Sequence, residues 1–461
     1  MTEVICISPV DGRELARRQT ASGTEIDAAL TKARAAQREW AARSVAERTG
    51  AVLGFLDALK AMNDTIVPEL AWSMGRPVRY GGEMRGVEER TRHMAEIAEA
   101  ALAPILPADK PGFRRMIKRE PLGLVLVIAP WNYPYMTAIN GIVPGLIAGN
   151  AVILKHAAQT LLIGDRFQQA ADAAGLPAGL FQHLVLSHED VARMLASGAV
   201  DHANFTGSVA AGRQIERAAA GTFTTLGLEL GGKDPAYVRA DADLDFAVEN
   251  LVDGAFFNSG QSCCGIERIY VHERLFGAFL DAFVALTNKY VLGDPLAAET
   301  SLGPMAHVRF AGLVREHTAE AIAKGARGHI DADAFPANAP GTPYLAPQVL
   351  SGVDHSMRVM MEESFGPVVG IMKVAGEEEA LALMNDSPYG LSASLWTRDV
   401  EAAEQIGARI QTGTVFMNRC DYLDPALAWT GVKDTGRGAS LSPIGYHMLT
   451  RPKSYHLRHT V

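Results

Sequence analysis

The sequence predicts an α/β protein whose parallel sheets are covered by helices, and three observations point there. From Leu122 onward, short apolar segments alternate with stretches of helical periodicity, the pattern of a parallel sheet with helices on both faces. Before that, apolar positions recur at helical spacing, as at Ile26, Leu30, Ala33 and Trp40. Two further segments, Phe113–Lys118 and the stretch around Lys453–Leu457, alternate in polarity like half-exposed strands.

Taken in order, residues 24–101 read as helical, rich in Ala, Glu and Arg, and are interrupted at Gly75-Arg76-Pro77. The strand-like FRRMIK follows at 113–118. LGLVLVIAP at 122–130 is the first strand of the α/β region, with a helix near 137–148. AVILK precedes a helix near 160–174, FQHLVL one near 188–197, and HANFTG one near 208–220. A second α/β region runs from about Lys233 to 430. It holds helices at 243–257, 273–289 and 377–385, and strands at 266–271, 345–350, 368–374 and 413–417. Loops that follow parallel strands lie on the carboxyl edge of the sheet, where ligands bind.

Composition narrows the function. With 48% hydrophobic and 21% charged residues the chain is ordinary for a soluble globular protein. A net charge of −9 leaves no basic stripe for a phosphate backbone, so no nucleic-acid partner is expected. The apolar runs are too short or too broken to span a bilayer, and MTEVICISPVDG is no signal peptide. A cytoplasmic protein without membrane contact is the expectation. The cysteines Cys6, Cys263, Cys264 and Cys420 form no CxxC pair, and the histidines are scattered, so neither a disulfide framework nor a metal site is expected.

Four short motifs carry chemistry. Phe257-Asn258-Ser259-Gly260-Gln261-Ser262-Cys263-Cys264 places a cysteine in a Gly-containing turn after a helix; Cys263 reads equally as an exposed nucleophile and as a buried structural thiol. Glu229-Leu230-Gly231-Gly232-Lys233 ends an apolar strand; its carboxylate is either a partly desolvated general base or a surface turn residue. Asn132 follows the first strand in Ala129-Pro130-Trp131-Asn132-Tyr133-Pro134, and its NH₂ is an oxyanion donor or a turn support. Phe205-Thr206-Gly207-Ser208 joins a strand to a helix, suited to a pyrophosphate at a helix N-terminus, although no GxGxxG is present.

In this order and at these spacings the motifs resemble those of the aldehyde dehydrogenase superfamily, over nearly the whole chain. GQSC at 260–263 with Arg268 beyond it, ELGGK at 229–233, the 34-residue gap from Glu229 to Cys263, ESFGP at 363–367, Asn385 with Tyr389-Gly390-Leu391, and Asn418 all match. The resemblance implies a Rossmann-like cofactor domain (1–104 and 122–232), a catalytic α/β domain (233–440) and a small β oligomerisation arm (105–121 and 441–461) that builds a homodimer or homotetramer. It implies Cys263 as nucleophile, Asn132 with the Cys263 N–H at the oxyanion, and Glu229 activating water on a thioester. NAD or NADP would lie on Trp131, Lys155, Gly207, Ser208, Leu230, Glu363 and Phe365. The aldehyde would meet Tyr133, Asn140, Phe257, Ser262, Cys264, Tyr422 and Trp429. Intact Cys263, Glu229 and Asn132 disfavour a catalytically silent structural or binding relative, and Glu229 disfavours acyl transfer to coenzyme A.

The chain departs from the family at informative places, among them Ala428-Trp429-Thr430-Gly431 where the family has Pro-Phe-Gly-Gly, which would put Trp429 on the substrate side. Ala158 stands where the family often has a Glu for the adenosine ribose, so a 2′-phosphate meets no carboxylate and use of both cofactors is expected. Relatives that oxidise the semialdehyde of succinate carry an Arg where this chain has Asn140, and the candidate tunnel residues are aromatic or neutral. An uncharged aldehyde with an apolar body is therefore the expected substrate, with Asp421 leaving room for a cationic one.

Overall fold

The computed structural model describes residues 2–460; Met1 and Val461, which the expected domain boundaries include, lie outside the described residues. A hairpin, Glu3–Ile7 against Glu14–Gln19, precedes four helices, Gly23–Ala41, Val45–Lys60, Asn63–Met74 and Met84–Leu102. The first two open on capping boxes, Ser22 with Glu25 and Ser44 with Glu47, which satisfy N–H groups that a helix start leaves free. The third stops at Gly75, whose φ of +80° only glycine adopts without strain. The second and fourth pack against the helix Pro134–Ile147, and Trp40 of the first donates its indole N–H to the Leu146 carbonyl there at 2.7 Å.

A six-stranded sheet runs, in spatial order, Gly436–Arg437, Thr225–Glu229, His202–Thr206, Leu124–Ile128, Ala151–Lys155, Phe181–His183. Only Gly436–Arg437 is antiparallel to its neighbour. Every residue of Leu124–Ile128 is buried, as expected of a central parallel strand covered on both faces. The strand that follows it in the chain lies on one side and His202–Thr206 on the other. The loops after these two central strands thus diverge, and the crevice between them is where such sheets bind ligands.

A seven-stranded sheet runs Arg327–Gly328, Gln348–Ser351, Val368–Val374, Ile266–His272, Asp234–Val238, Ser392–Trp396, Thr414–Met417, parallel except at the first edge. The chain leaves one sheet at Glu229 and enters the other at Asp234, so Leu230–Lys233 is the crossover between them. It is back in the first sheet at Gly436–Arg437, inside the stretch expected to belong wholly to the second unit. The tail also differs from expectation. Ser442–Met448 is a helix packed on Met84–Leu102, and only Thr450–Arg458 joins Phe113–Pro121 in a separate two-stranded ribbon.

Among the described residues no helix is long and apolar enough to cross a membrane, and no group of three His, Cys, Asp or Glu side chains could hold a metal ion.

Candidate active site

Carboxyl ends of the first sheet face amino ends of the second, and the four motifs converge in that gap. Asn132 follows Leu124–Ile128, Gly207 and Ser208 follow His202–Thr206, Glu229 ends its strand, and Cys263 lies just before Ile266–His272. Two cavities meet at Cys263, one of about 510 Å³ and one of about 590 Å³, and Glu229 and Leu230 line both.

The nucleophile loop is held in a shape that ordinary turns avoid. Asn258 and Ser259 have φ of 54° and 56°. Their side chains hold them there. Asn258 donates to the carbonyls of Asn132 (3.3 Å) and Gln261 (3.2 Å), and Ser259 to that of Gly303 (2.9 Å). Asn132, buried, donates its amide to the Gln261 carbonyl at 3.2 Å. The backbone N–H of Cys263 has no protein acceptor among the described residues, so two donors stand beside the thiol. The neighbouring cysteine is different. Cys264 donates to the Asp421 carboxylate at 2.9 Å, and its hydrogen bond with Cys263, together with burial, holds its pKa well above the ordinary thiol value. Cys264 is therefore a neutral donor.

Glu229 accepts a hydrogen bond from the Thr206 hydroxyl at 3.2 Å, and burial raises its pKa above the ordinary carboxylate value. The glycines after it permit close approach. A side chain at Gly231 would collide with the Glu363 carboxylate, and one at Gly232 with the Cys263 carbonyl. Glu363 accepts from the Gly232 N–H at 3.0 Å, and burial pushes its pKa up to about 8. Lys233, wholly buried, pairs with Glu267, which also accepts from the backbone of Ser364 (2.8 Å) and Phe365 (3.0 Å). ELGGK and ESFGP are thus tied together by one buried ion pair.

The first cavity lies over the carboxyl edge of the six-stranded sheet. Trp131, Lys155, Gly207, Ser208, Leu230, Glu363 and Phe365 all line it. Ser208 is the N-cap of the helix Val209–Ala219, so its free N–H groups face the cavity end of that helix. Trp131 stacks on Phe310 with ring centres 5.2 Å apart and meets Phe365 edge-on at 5.6 Å. Lys155, Ala157 and His188 are among the lining residues, and Ala158 is exposed and does not line the cavity. His188, Gln214 and Phe310 are lining residues that the sequence reading does not pick out.

The second cavity gathers Tyr133, Asn140, Phe257, Ser262, Cys264, Tyr422 and Trp429. Its expected neutrality does not hold. Arg85, Glu89, Arg90, Arg419 and Asp421 also line it. Arg90 sits on the helix Met84–Leu102, part of the Ala-, Glu- and Arg-rich helical stretch, and lies on the face of it that packs against Pro134–Ile147. It is 7% exposed and donates to the Met136 carbonyl (2.9 Å) and the Asn140 side-chain oxygen (3.2 Å). Asp421 accepts from Ser262 (3.0 Å) and Cys264 (2.9 Å), and burial pushes its pKa up to about 6.

A second buried ion pair supports the site from behind. Arg76 bonds Glu83 at 2.7 Å, the Asn132 carbonyl at 2.5 Å and the Asn258 side chain at 3.3 Å. Glu83 accepts from the N–H groups of Tyr135 (3.0 Å) and Met136 (2.7 Å) at the start of the helix Pro134–Ile147. In the sequence, Arg76 stands out only as part of a helix-breaking Gly-Arg-Pro. Of the remaining matched residues, Leu391 lines the second cavity, whereas Asn385 and Asn418 lie outside both and hold backbone groups. Asn385 accepts from the Gln411 N–H at 2.8 Å, and Asn418 bonds both backbone groups of Thr397.

The family model described as the aldehyde dehydrogenase family matches residues 2–455. A succinate semialdehyde dehydrogenase, Sad, of Escherichia coli K12 is 33% identical over 97% of this chain and 96% of its own length. An aldehyde dehydrogenase of Paenarthrobacter nicotinovorans is 35% identical over 96% of this chain and 97% of its own. The crystal structure of a succinic semialdehyde dehydrogenase from Streptococcus pyogenes with NADP⁺ superposes with a TM-score of 0.93 at 25% identity, covering 99% of this chain and all of that one. With the match running through both sheets and every motif at their junction, the chain belongs to the aldehyde dehydrogenase family.

Proposed function

We propose that this NAD(P)-dependent aldehyde dehydrogenase oxidises its substrate through a covalent intermediate on Cys263, which water then hydrolyses to the acid. The observation that carries the reading is the meeting of two cavities at one cysteine, with a desolvated carboxylate lining both. The first cavity fits a dinucleotide. It has a helix N-terminus at Ser208, a cation at Lys155, and Trp131 and Phe365 as flat apolar walls. Bound NAD⁺ or NADP⁺ supplies the hydride acceptor.

Cys263 adds as thiolate to the aldehyde carbon from the second cavity, forming a C–S bond and a tetrahedral oxyanion. The Asn132 amide and the Cys263 N–H donate to that oxygen. The cofactor held in the first cavity would accept the hydride, and Cys263 would then carry the acyl group as a thioester. Glu229 removes a proton from water as the water oxygen bonds the acyl carbon, the C–S bond breaks, and the acid leaves with Cys263 restored as thiolate. Cys264 takes no part, because its proton is committed to Asp421.

The domain roles follow. The six-stranded sheet carries the cofactor and the seven-stranded sheet the nucleophile. The ribbon of Phe113–Pro121 and Thr450–Arg458 pairs with no other strand among the described residues, and its open edges build a homodimer or a dimer of dimers. Four free cysteines suit a reducing compartment such as the cytoplasm. Growth of NAD(P)H absorbance across a panel of aldehydes tests the activity; no turnover with any member and either cofactor would leave a catalytically silent relative. A monomer by light scattering at micromolar concentration would remove the oligomer.

A further inference from the structure

We infer that the substrate is an aldehyde bearing a carboxylate, and that Arg90 is the residue that pairs with it. This rests on the activity proposed above and names the substrate class of the same site.

Arg90 is the deepest cation of the second cavity, sharing it with Cys263 and Glu229. One of its terminal nitrogens is occupied by the Met136 carbonyl and the Asn140 oxygen. Its other terminal nitrogen and its Nε have no protein acceptor among the described residues, and neither is sealed from the cavity. Among the described residues no carboxylate forms an ion pair with this guanidinium. Glu83 is committed on both oxygens, to Arg76 and to the helix start at Tyr135 and Met136. A buried cation without a partner is costly, and a planar guanidinium with adjacent free N–H groups matches a carboxylate in charge and geometry.

Asn140 completes the arrangement. Its oxygen accepts from Arg90 and so helps to fix the guanidinium, while its NH₂, sealed inside the protein, has no partner among the described residues. Neither group there offers a free acceptor to a cationic substrate. Of the acidic residues lining this cavity, Asp421 already receives Ser262 and Cys264, and Glu229 receives Thr206. The mouth continues the bias. Arg85 and Arg419 line it with no carboxylate partner among the described residues, whereas the Glu89 carboxylate takes the Tyr422 hydroxyl at 2.5 Å.

The test is a ratio that cancels general damage to the enzyme. kcat/KM is measured for two near-isosteric pairs, 4-carboxybenzaldehyde against 4-methylbenzaldehyde and succinic semialdehyde against pentanal, in the wild type, Arg90→Met and Arg90→Lys. The carboxylate member should win in at least one pair, and Arg90→Met should cut that ratio by about 10- to 100-fold, mainly through KM. Arg90→Lys should restore part of it. A wild-type ratio at or below one in both pairs overturns the inference without any variant, and so does a ratio that Arg90→Met leaves unchanged. Oxidation of the neutral members alone would overturn only the substrate class, whereas no oxidation of any aldehyde would overturn the activity as well.

Discussion

The two cavities that meet at Cys263 are similar in size and opposite in construction. The one over the six-stranded sheet is built from backbone, glycines and flat apolar rings, with charge confined to a few positions such as Lys155 and Glu363. The one beyond Cys263 is built from side chains, and it collects three arginines and two acidic residues besides Glu229. Backbone recognition is fixed by the topology. It follows from where strands end and helices begin, so it cannot change without changing the fold. Side-chain recognition can be rewritten one residue at a time, which is how one scaffold serves many aldehydes.

The largest expected effect lies at the point both cavities share. Cys263→Ala should lower turnover by about 10⁴-fold or more while the first cavity still binds NAD(P)⁺. If cofactor affinity, measured by fluorescence titration, collapses with activity, the two sides are not separable. Glu229→Gln comes next. Steady turnover should fall by about 10²- to 10⁴-fold, with a burst of NAD(P)H surviving because hydride transfer precedes hydrolysis. The pH dependence gives the sign. Only deprotonated Glu229 can take a proton from water, and burial raises its pKa, so the steady rate should fall as pH drops through that raised value. The variant should lose that acid limb; an unchanged limb would move the base elsewhere.

The same comparison was only half legible in the sequence. Residues of the first cavity stand at strand ends followed by Gly or Pro, as at Trp131, Gly207 and Leu230, and such positions show in any reading of alternating strands and helices. Arg90 could not be seen that way. In Met84–Leu102 it is one charged residue among many, and its inward place depends on Met136, 46 residues further along the chain. Arg76 was hidden similarly, because its partners Glu83, Asn132 and Asn258 come from three separate segments. The strand Asp234–Val238, which opens with Asp-Pro, is not among the strands read from the sequence; yet it is central, and Ser392 satisfies the buried Asp234 carboxylate through both its N–H (3.0 Å) and its hydroxyl (2.5 Å).

A smaller effect should separate the cofactors. Ala158→Glu should lower kcat/KM with NADP⁺ relative to NAD⁺ by about tenfold, roughly 1.4 kcal/mol, through repulsion of the 2′-phosphate. Dual use itself fails if the wild type works with NADP⁺ more than about a thousandfold less well than with NAD⁺. The smallest effect belongs to Cys264→Ala. Removing a neutral donor to Asp421 should leave turnover within about tenfold of wild type, a loss of one hydrogen bond to a charged group. A dead Cys264→Ala beside an active Cys263→Ala would exchange the roles of the two cysteines.

The crossover Leu230–Lys233 gives the reaction a built-in calliper. The base hangs from the last residue of one sheet and the nucleophile from the loop leading into the other, so the gap between them measures how the sheets are seated. Reaction geometry tolerates errors of only about 1 Å. The four residues between the sheets carry two glycines that admit Glu363 and the Cys263 carbonyl, and then Lys233, locked to Glu267. A change that loosens that lock would therefore slow hydrolysis from a position where it touches neither water nor substrate.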